Sequence, residues 1–105
     1  MAPFENITAK QLEEKISQGI DGVLLDVRTP AEVAEGQIPN SISIDVQSTA
    51  FAEEIADLDP AKTYYVYCRS GARSANACMQ MAGSGFEKLF NLEGGMLGWA
   101  GDRTK

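Results

Sequence analysis

At 105 residues the chain is long enough for one small domain and too short for two. Its 44% hydrophobic and 23% charged content is that of a globular chain, and no apolar run approaches the roughly 20 residues of a membrane helix. A formal charge of −6 makes nucleic acid and anionic lipid poor partners, and the absence of histidine excludes Ser-His-Asp triads, Cys-His dyads and histidine–zinc sites.

Residues 1–6 (MAPFEN) carry no basic region and no apolar signal core, which points to the cytoplasm. One domain is expected over 1–105, with an ordered core from about 5 to 101. Thr8-Ala9-Lys10-Gln11 is a capping box, Leu12 and Ile16 follow on one helical face, and Gly19 closes the helix. Residues 23–27 (VLLDV) read as a buried parallel strand with the carboxylate of Asp26 near its end. Thr29-Pro30-Ala31-Glu32 is a second capping box, with proline at the first helical position, and Gly36 ends that short helix. A turn at 38–41, a strand at 42–44 and a helix over 48–58 come next, the helix stopped by Asp59-Pro60.

Residues 64–67 (YYVY) form the next strand, its three tyrosines suggesting a half-buried position. It runs into Cys68, then a loop containing Gly71, then a helix over 74–82. The thiol therefore sits at the carboxyl end of a strand and the amino end of a helix, where backbone N–H groups favour a thiolate. A helix terminus contributes about 0.3–1 kcal/mol, at most about 2, which lowers a thiol pKa by about one unit, so loop amides and Arg73 must supply the rest. Arg69 and Arg73 form a local cationic island suited to a small anion. Cys78 falls inside the helix, where a disulfide to Cys68 is geometrically doubtful and a core role is expected. Gly83-Ser84-Gly85 breaks the helix, 88–92 (KLFNL) is a last strand, and a glycine-rich turn with Trp99 as anchor leads to a polar tail expected to fray. Met96 and Trp99 either wall the site or pack in the core.

Strands alternating with helices over short connections predict an α/β fold: an open, mostly parallel sheet of about five strands with helices on both faces. Ligands in such folds bind beyond the carboxyl ends of the strands, where Cys68 lies and where Asp26 and Arg28 flank a neighbouring end. Asp26 and Arg28 read as structural, Asp26 bonding nearby loops and Arg28 pairing with a carboxylate such as Glu32.

Three stretches together resemble a single-domain rhodanese along nearly the whole chain. They are Leu25-Asp26-Val27-Arg28-Thr29-Pro30 with Glu32, Gly36 and Ile38-Pro39; the loop Cys68-Arg69-Ser70-Gly71-Ala72-Arg73; and Gly94-Gly95 followed by Gly98-Trp99. Gln37 and Asn40-Ser41 depart from the family pattern in a turn, which predicts altered packing with the chemistry retained. The resemblance implies a sulfurtransferase in which the Cys68 thiolate takes the outer sulfur of an anionic donor such as thiosulfate. The resulting persulfide passes that sulfur to cyanide or a thiol, a protein thiol included, with no metal and no cofactor. Arg73 and Arg69 would clamp the donor. Backbone N–H groups of Ser70, Gly71, Ala72 and Ser74 would hold the sulfur anion, Gly71 accepting a positive φ.

Two other readings stand beside this one: a phosphatase or arsenate reductase using a cysteine loop, and a non-catalytic binding module. By the same resemblance, phosphatases place five residues between cysteine and arginine, and this chain has four, a bowl better matched to sulfur than to phosphate. A sulfur sealed from solvent, with its neighbouring amides turned outward, would exclude enzymatic chemistry altogether.

Overall fold

The computed structural model describes residues 3–104, and in it five parallel strands form one open sheet in the order β1-β5-β4-β2-β3. The elements follow in the order β1 (Glu5–Ile7), α1 (Ala9–Ser17), β2 (Val23–Asp26), α2 (Pro30–Ala34), β3 (Ile42–Ser43) and α3 (Phe51–Ala56). Then come β4 (Thr63–Tyr67), α4 (Ala72–Gly83), β5 (Lys88–Leu92) and a 3-10 turn at Gly95–Gly98. The α/β sheet predicted from the alternation of elements is present, and both capping boxes close as expected, Thr8 with Gln11 and Thr29 with Glu32.

β4 occupies the centre, paired on one side with β2 (Leu25 beside Val66) and on the other with β5 (Val66 beside Asn91). Side chains alternate across a strand, so its two faces feed two cores. Tyr64, Val66 and Cys68 pack with Leu25, Val27, Phe51, Ile55, Ala77, Met81 and Leu89, while Tyr65 and Tyr67 pack with Leu12, Leu24, Ile38, Leu92, Met96 and Trp99. The tyrosines are therefore not half-buried: Tyr64, Tyr65 and Tyr67 are 1%, 6% and 0% exposed. Burial of these rings is tolerable where each polar tip has a partner. The Tyr64 hydroxyl donates to the Asp59 carbonyl at 2.7 Å, and the Tyr67 oxygen accepts from Ile38 N–H at 3.2 Å and bonds Ser41 Oγ at 2.7 Å.

Four elements depart from expectation. β1 is a three-residue edge strand, too short to carry an alternation signal, and it extends the sheet ahead of α1. The helix expected over 48–58 runs only Phe51–Ala56, because the Ser48 hydroxyl accepts from Ala50 N–H at 3.0 Å and holds its start in a turn. α4 begins at Ala72, two residues early, since Gly71 at φ +106° serves as its N-cap. The tail does not fray as far as Thr104. Arg103 Nη2 donates to the Met96 and Trp99 carbonyls at 2.9 and 2.7 Å, and Thr104 N–H donates to Gln37 O at 2.8 Å. Met1, Ala2 and Lys105, included in the expected domain, lie outside the described residues. Among the described residues no helix is long and apolar enough to cross a membrane.

Candidate active site

Cys68 follows the last residue of β4, at the middle of the sheet's carboxyl edge, and the loop it opens is braced from below by the β5 connection. Met96 N–H donates to Cys68 O and Leu97 N–H to Arg69 O, both at 3.0 Å. That clamp needs glycine at 95. A Cβ there would meet the Cys68 and Arg69 carbonyl oxygens at 2.5 Å, on a backbone with φ +52°. Gly95→Ala is therefore expected to lower stability by roughly 2–4 kcal/mol, read as a fall in the urea midpoint at unchanged slope. A variant within 0.5 kcal/mol or so of wild type would show that the clamp yields freely.

The loop turns its amides inward. Gly71 N–H lies 3.1 Å from Cys68 Sγ, and the Ser74 hydroxyl lies 3.4 Å from it. Burial alone would raise the Cys68 pKa. The Ser74 hydroxyl and the backbone N–H groups of Ser74, Gly71 and Ser70 outweigh it and hold the thiol below its ordinary value. Of the predicted anion cradle, Ser70, Gly71 and Ser74 are thus brought to the sulfur, and Ala72 opens α4. Cys68 has 0% of its surface exposed, so the bowl is closed over the sulfur. The loop closes on a single sulfur atom, drawn down by its own N–H···S bonds. The sulfur is sealed but its amides face it, so only half of the excluding condition is met.

The two loop arginines part company. Arg69 is exposed, and among the described residues no carboxylate pairs with its guanidinium. Arg73 is not free to lie over the loop: Nη1 and Nη2 reach Glu32 Oε1 and Oε2 of α2 at 2.7 and 2.8 Å, a bidentate pair. Its charge still acts on Cys68. On the Arg73 flank of the loop runs a groove of about 300 Å³ lined by Val46, Gln47, Ala72, Arg73, Asn76 and Gln80. Because Glu32 is taken by Arg73, the expected Arg28–Glu32 pair does not form. Arg28 turns back on Asp26 at 2.7 Å and donates to the Gly36 carbonyl at 2.6 Å. The departure at Gln37 serves this pair, its amide reaching Asp26 Oδ2 at 3.4 Å and Ser43 Oγ at 2.8 Å.

The hydrogen bonds from Arg73 hold the Glu32 carboxyl at about 2, against an ordinary 4.5. Folding favours its ionised form, so this stabilisation is complete above 4.5 and is lost as the pH falls from there towards 2. The full linkage value is about 3 kcal/mol, but with both side chains about a quarter exposed, screening reduces it to roughly 1–2 kcal/mol. Glu32→Gln can keep the Oε1 acceptor of the capping box but removes the charge and turns an amide NH₂ towards Arg73 Nη2, so the bidentate pair is lost with it. We expect it to be about 1–2 kcal/mol less stable than wild type at pH 7, with the gap closing in acid. Urea unfolding across pH 7 to 3 checks this, and a gap that stays constant into acid would contradict it.

Cys78 is a core thiol, 0% exposed and pushed up to about 12 by burial. Met96 and Trp99, each 5% exposed, belong to the core and do not wall the site. Two residues that the motifs passed over stand beside it. Asn91 of β5 accepts from the Ser74 hydroxyl, and Asn6 of β1 accepts from the Asn91 amide at 3.1 Å. A polar residue inside the apolar run 88–92 was the available signal for the first.

Fold and site together define a parallel α/β domain that presents an amide-bound cysteine at the carboxyl edge of its central strand. Residues 8–102 match the rhodanese-like domain. The chain is 41% identical over 99 residues to a putative sulfurtransferase, YtwF, of Bacillus subtilis, covering 94% of this chain and 93% of the relative. It is 34% identical to the thiosulfate sulfurtransferase GlpE of Pseudomonas syringae, covering 94% and 90%. A rhodanese-like domain protein of Staphylococcus aureus superposes with a TM-score of 0.83 at 32% identity, covering 93% and 92%. This chain belongs to the rhodanese-like domain family.

Proposed function

We propose that the chain is a sulfurtransferase that carries a sulfane sulfur on Cys68. The observation that carries this reading is the array of inward N–H and O–H donors on the sulfur, which lowers its pKa without any imidazole. The thiolate attacks the outer sulfur of thiosulfate or a similar anionic donor. A bond forms from Cys68 Sγ to that sulfur, the donor's S–S bond breaks, and sulfite leaves with the electron pair. Cyanide or a thiolate then attacks the terminal sulfur, forming thiocyanate or a new persulfide and returning the Cys68 thiolate with its electron pair. Arg69, whose guanidinium pairs with no carboxylate among the described residues, meets the incoming anion. Arg73, anchored by Glu32, contributes a fixed positive field at the loop. Asp26 and Arg28 hold the neighbouring strand end. Since the loop now closes on one sulfur, loading must widen it by the size of a second.

The relative named a thiosulfate sulfurtransferase supports the donor class, and the four-residue spacing within the loop weighs against a phosphate-sized guest. We place the chemistry in the cytoplasm, where such a thiol stays reduced, with small-molecule or protein thiols as partners and neither nucleic acid nor membrane. The test is incubation with thiosulfate and cyanide, with thiocyanate measured and intact mass followed. Thiocyanate together with one added sulfur supports the proposal. Hydrolysis of a phosphoryl ester instead, or inactivity in both assays, overturns it.

A further inference from the structure

Asn91 is 5% exposed on β5, directly across from Val66, two residues before Cys68. Its Oδ1 accepts from Ser74 Oγ, while its Nδ2 donates to Asn6 Oδ1 at 3.1 Å and to the Gly71 carbonyl at 3.3 Å. Ser74 is itself 0% exposed, and its hydroxyl stands 3.1 Å from the Gly71 carbonyl and 3.4 Å from Cys68 Sγ. One hydroxyl hydrogen thus has three acceptors, and a hydroxyl can satisfy only one of them well. What the sulfur receives depends on what Asn91 takes.

Two arrangements of these hydrogens are open to the cluster. In the one the close Ser74–Asn91 approach favours, Ser74 gives its hydrogen chiefly to Asn91, and a neutral thiol can donate its own S–H to Ser74 Oγ. In the other, the Asn91 amide has made a half-turn, so that Nδ2 donates to Ser74 Oγ and the hydroxyl hydrogen is released to the sulfur. The exposed Asn6 amide turns with it and donates to Asn91 Oδ1; the Gly71 carbonyl loses its bond from Asn91 Nδ2, now faces an oxygen there, and keeps only its bond from Ala75 N–H at 3.1 Å. The second arrangement suits an anionic sulfur, because a charged acceptor outcompetes a neutral one. It follows loss of the thiol proton to water.

We propose that Asn91 is a positioning residue that, backed by Asn6, hands the Ser74 hydroxyl hydrogen to Cys68 when the sulfur is anionic and takes it back when the thiol re-forms. This rests on Cys68 being the reactive sulfur but not on which donor loads it. The charges around the loop are Arg69, and Arg73 with Glu32 and Asp45 acting on it; none is altered in the alanine variants.

The test is the pH dependence of Cys68 alkylation by iodoacetamide, with the modified residue identified by mass spectrometry. It needs no sulfur donor, so failure of sulfur transfer and failure of this proposal are read separately. Asn91→Ala vacates the Gly71 carbonyl, which at 3.1 Å lies nearer the Ser74 hydroxyl than the sulfur does at 3.4 Å and takes its hydrogen, so the midpoint should move up by about half a pH unit to one, the worth of one oriented hydrogen bond. Asn91→Asp should move it further, because a carboxylate only accepts and keeps the hydrogen. In a Ser74→Ala background, Asn91→Ala should add nothing, since Asn91 acts through that hydroxyl. Asn6→Ala, on the exposed edge strand, should give a smaller shift in the same direction and covers the case in which the Asn91 variants do not fold. An unmoved midpoint in folded Asn91→Ala, or in folded Asn6→Ala where that variant stands in for it, overturns the proposal. So does an equal shift with and without the Ser74 hydroxyl.

Discussion

Cys68→Ser is expected to abolish sulfur loading while leaving the domain folded. Removing the nucleophile from a covalent mechanism costs orders of magnitude, and here a fall of more than about 10⁴-fold in thiocyanate formation is expected. A serine hydroxyl is not appreciably ionised near neutral pH, and the chain contains no histidine to act as its base. Cys78 gives no substitute, since its thiol is sealed in the core and pushed up to about 12. Stability should change by less than about 1 kcal/mol, because the hydroxyl is close in shape and can accept the Gly71 N–H that now points at sulfur. Intact mass after thiosulfate treatment gives the direct reading: an added sulfur on wild type and none on the variant. Loading that persisted in Cys68→Ser would move the chemistry elsewhere and refute the mechanism.

The parts of this site that could be read from the chain are those set by local physics. A cysteine between an apolar strand and a helix, with one glycine able to take φ +106°, specifies the loop within a few residues, and the loop is where expected. Capping boxes are likewise local, four-residue events, and both formed. Charge partners are different. Arg28, Glu32 and Arg73 lie close together in space but are spread over 46 residues, and which carboxylate takes which guanidinium depends on how α2 docks against α4. Sequence proximity favoured Arg28 with Glu32. The fold gave Glu32 to an arginine 41 residues away and left Arg28 to Asp26. Asn91 stood out only as a polar residue in a strand; what it bonds was not legible, since its partners Asn6 and Ser74 belong to β1 and α4. The closure of the loop over Cys68 is also a tertiary result, because the β5 connection presses it from below.

Asp26→Ala should be the most destabilising substitution at the carboxyl edge of the sheet. Asp26 is 0% exposed, and its carboxylate accepts Arg28 Nε at 2.9 Å, Arg28 Nη2 at 2.7 Å and the Arg28 backbone N–H at 3.0 Å. Without it, a guanidinium only 6% exposed keeps the Gly36 carbonyl and the Tyr67 ring, 6.0 Å from its centroid, and loses its counter-charge. Stranding a buried charge in this way costs about 3–5 kcal/mol. A domain of this size is stable by roughly 5–15 kcal/mol, so the variant sits close to the edge of folding, with a Tm lower by some 15–30 °C. The penalty comes from the orphaned charge and not from a large intrinsic value of the ion pair, and the two are separable. Replacing both residues, as Asp26→Leu with Arg28→Met, removes charge and counter-charge together and should recover most of the loss. The part due to the Arg28 backbone N–H should remain, about 1–3 kcal/mol for one unsatisfied buried donor. Thermal and urea unfolding of the single and double variants checks this. A double variant no more stable than Asp26→Ala would mean that the ion pair itself holds the strand end in place.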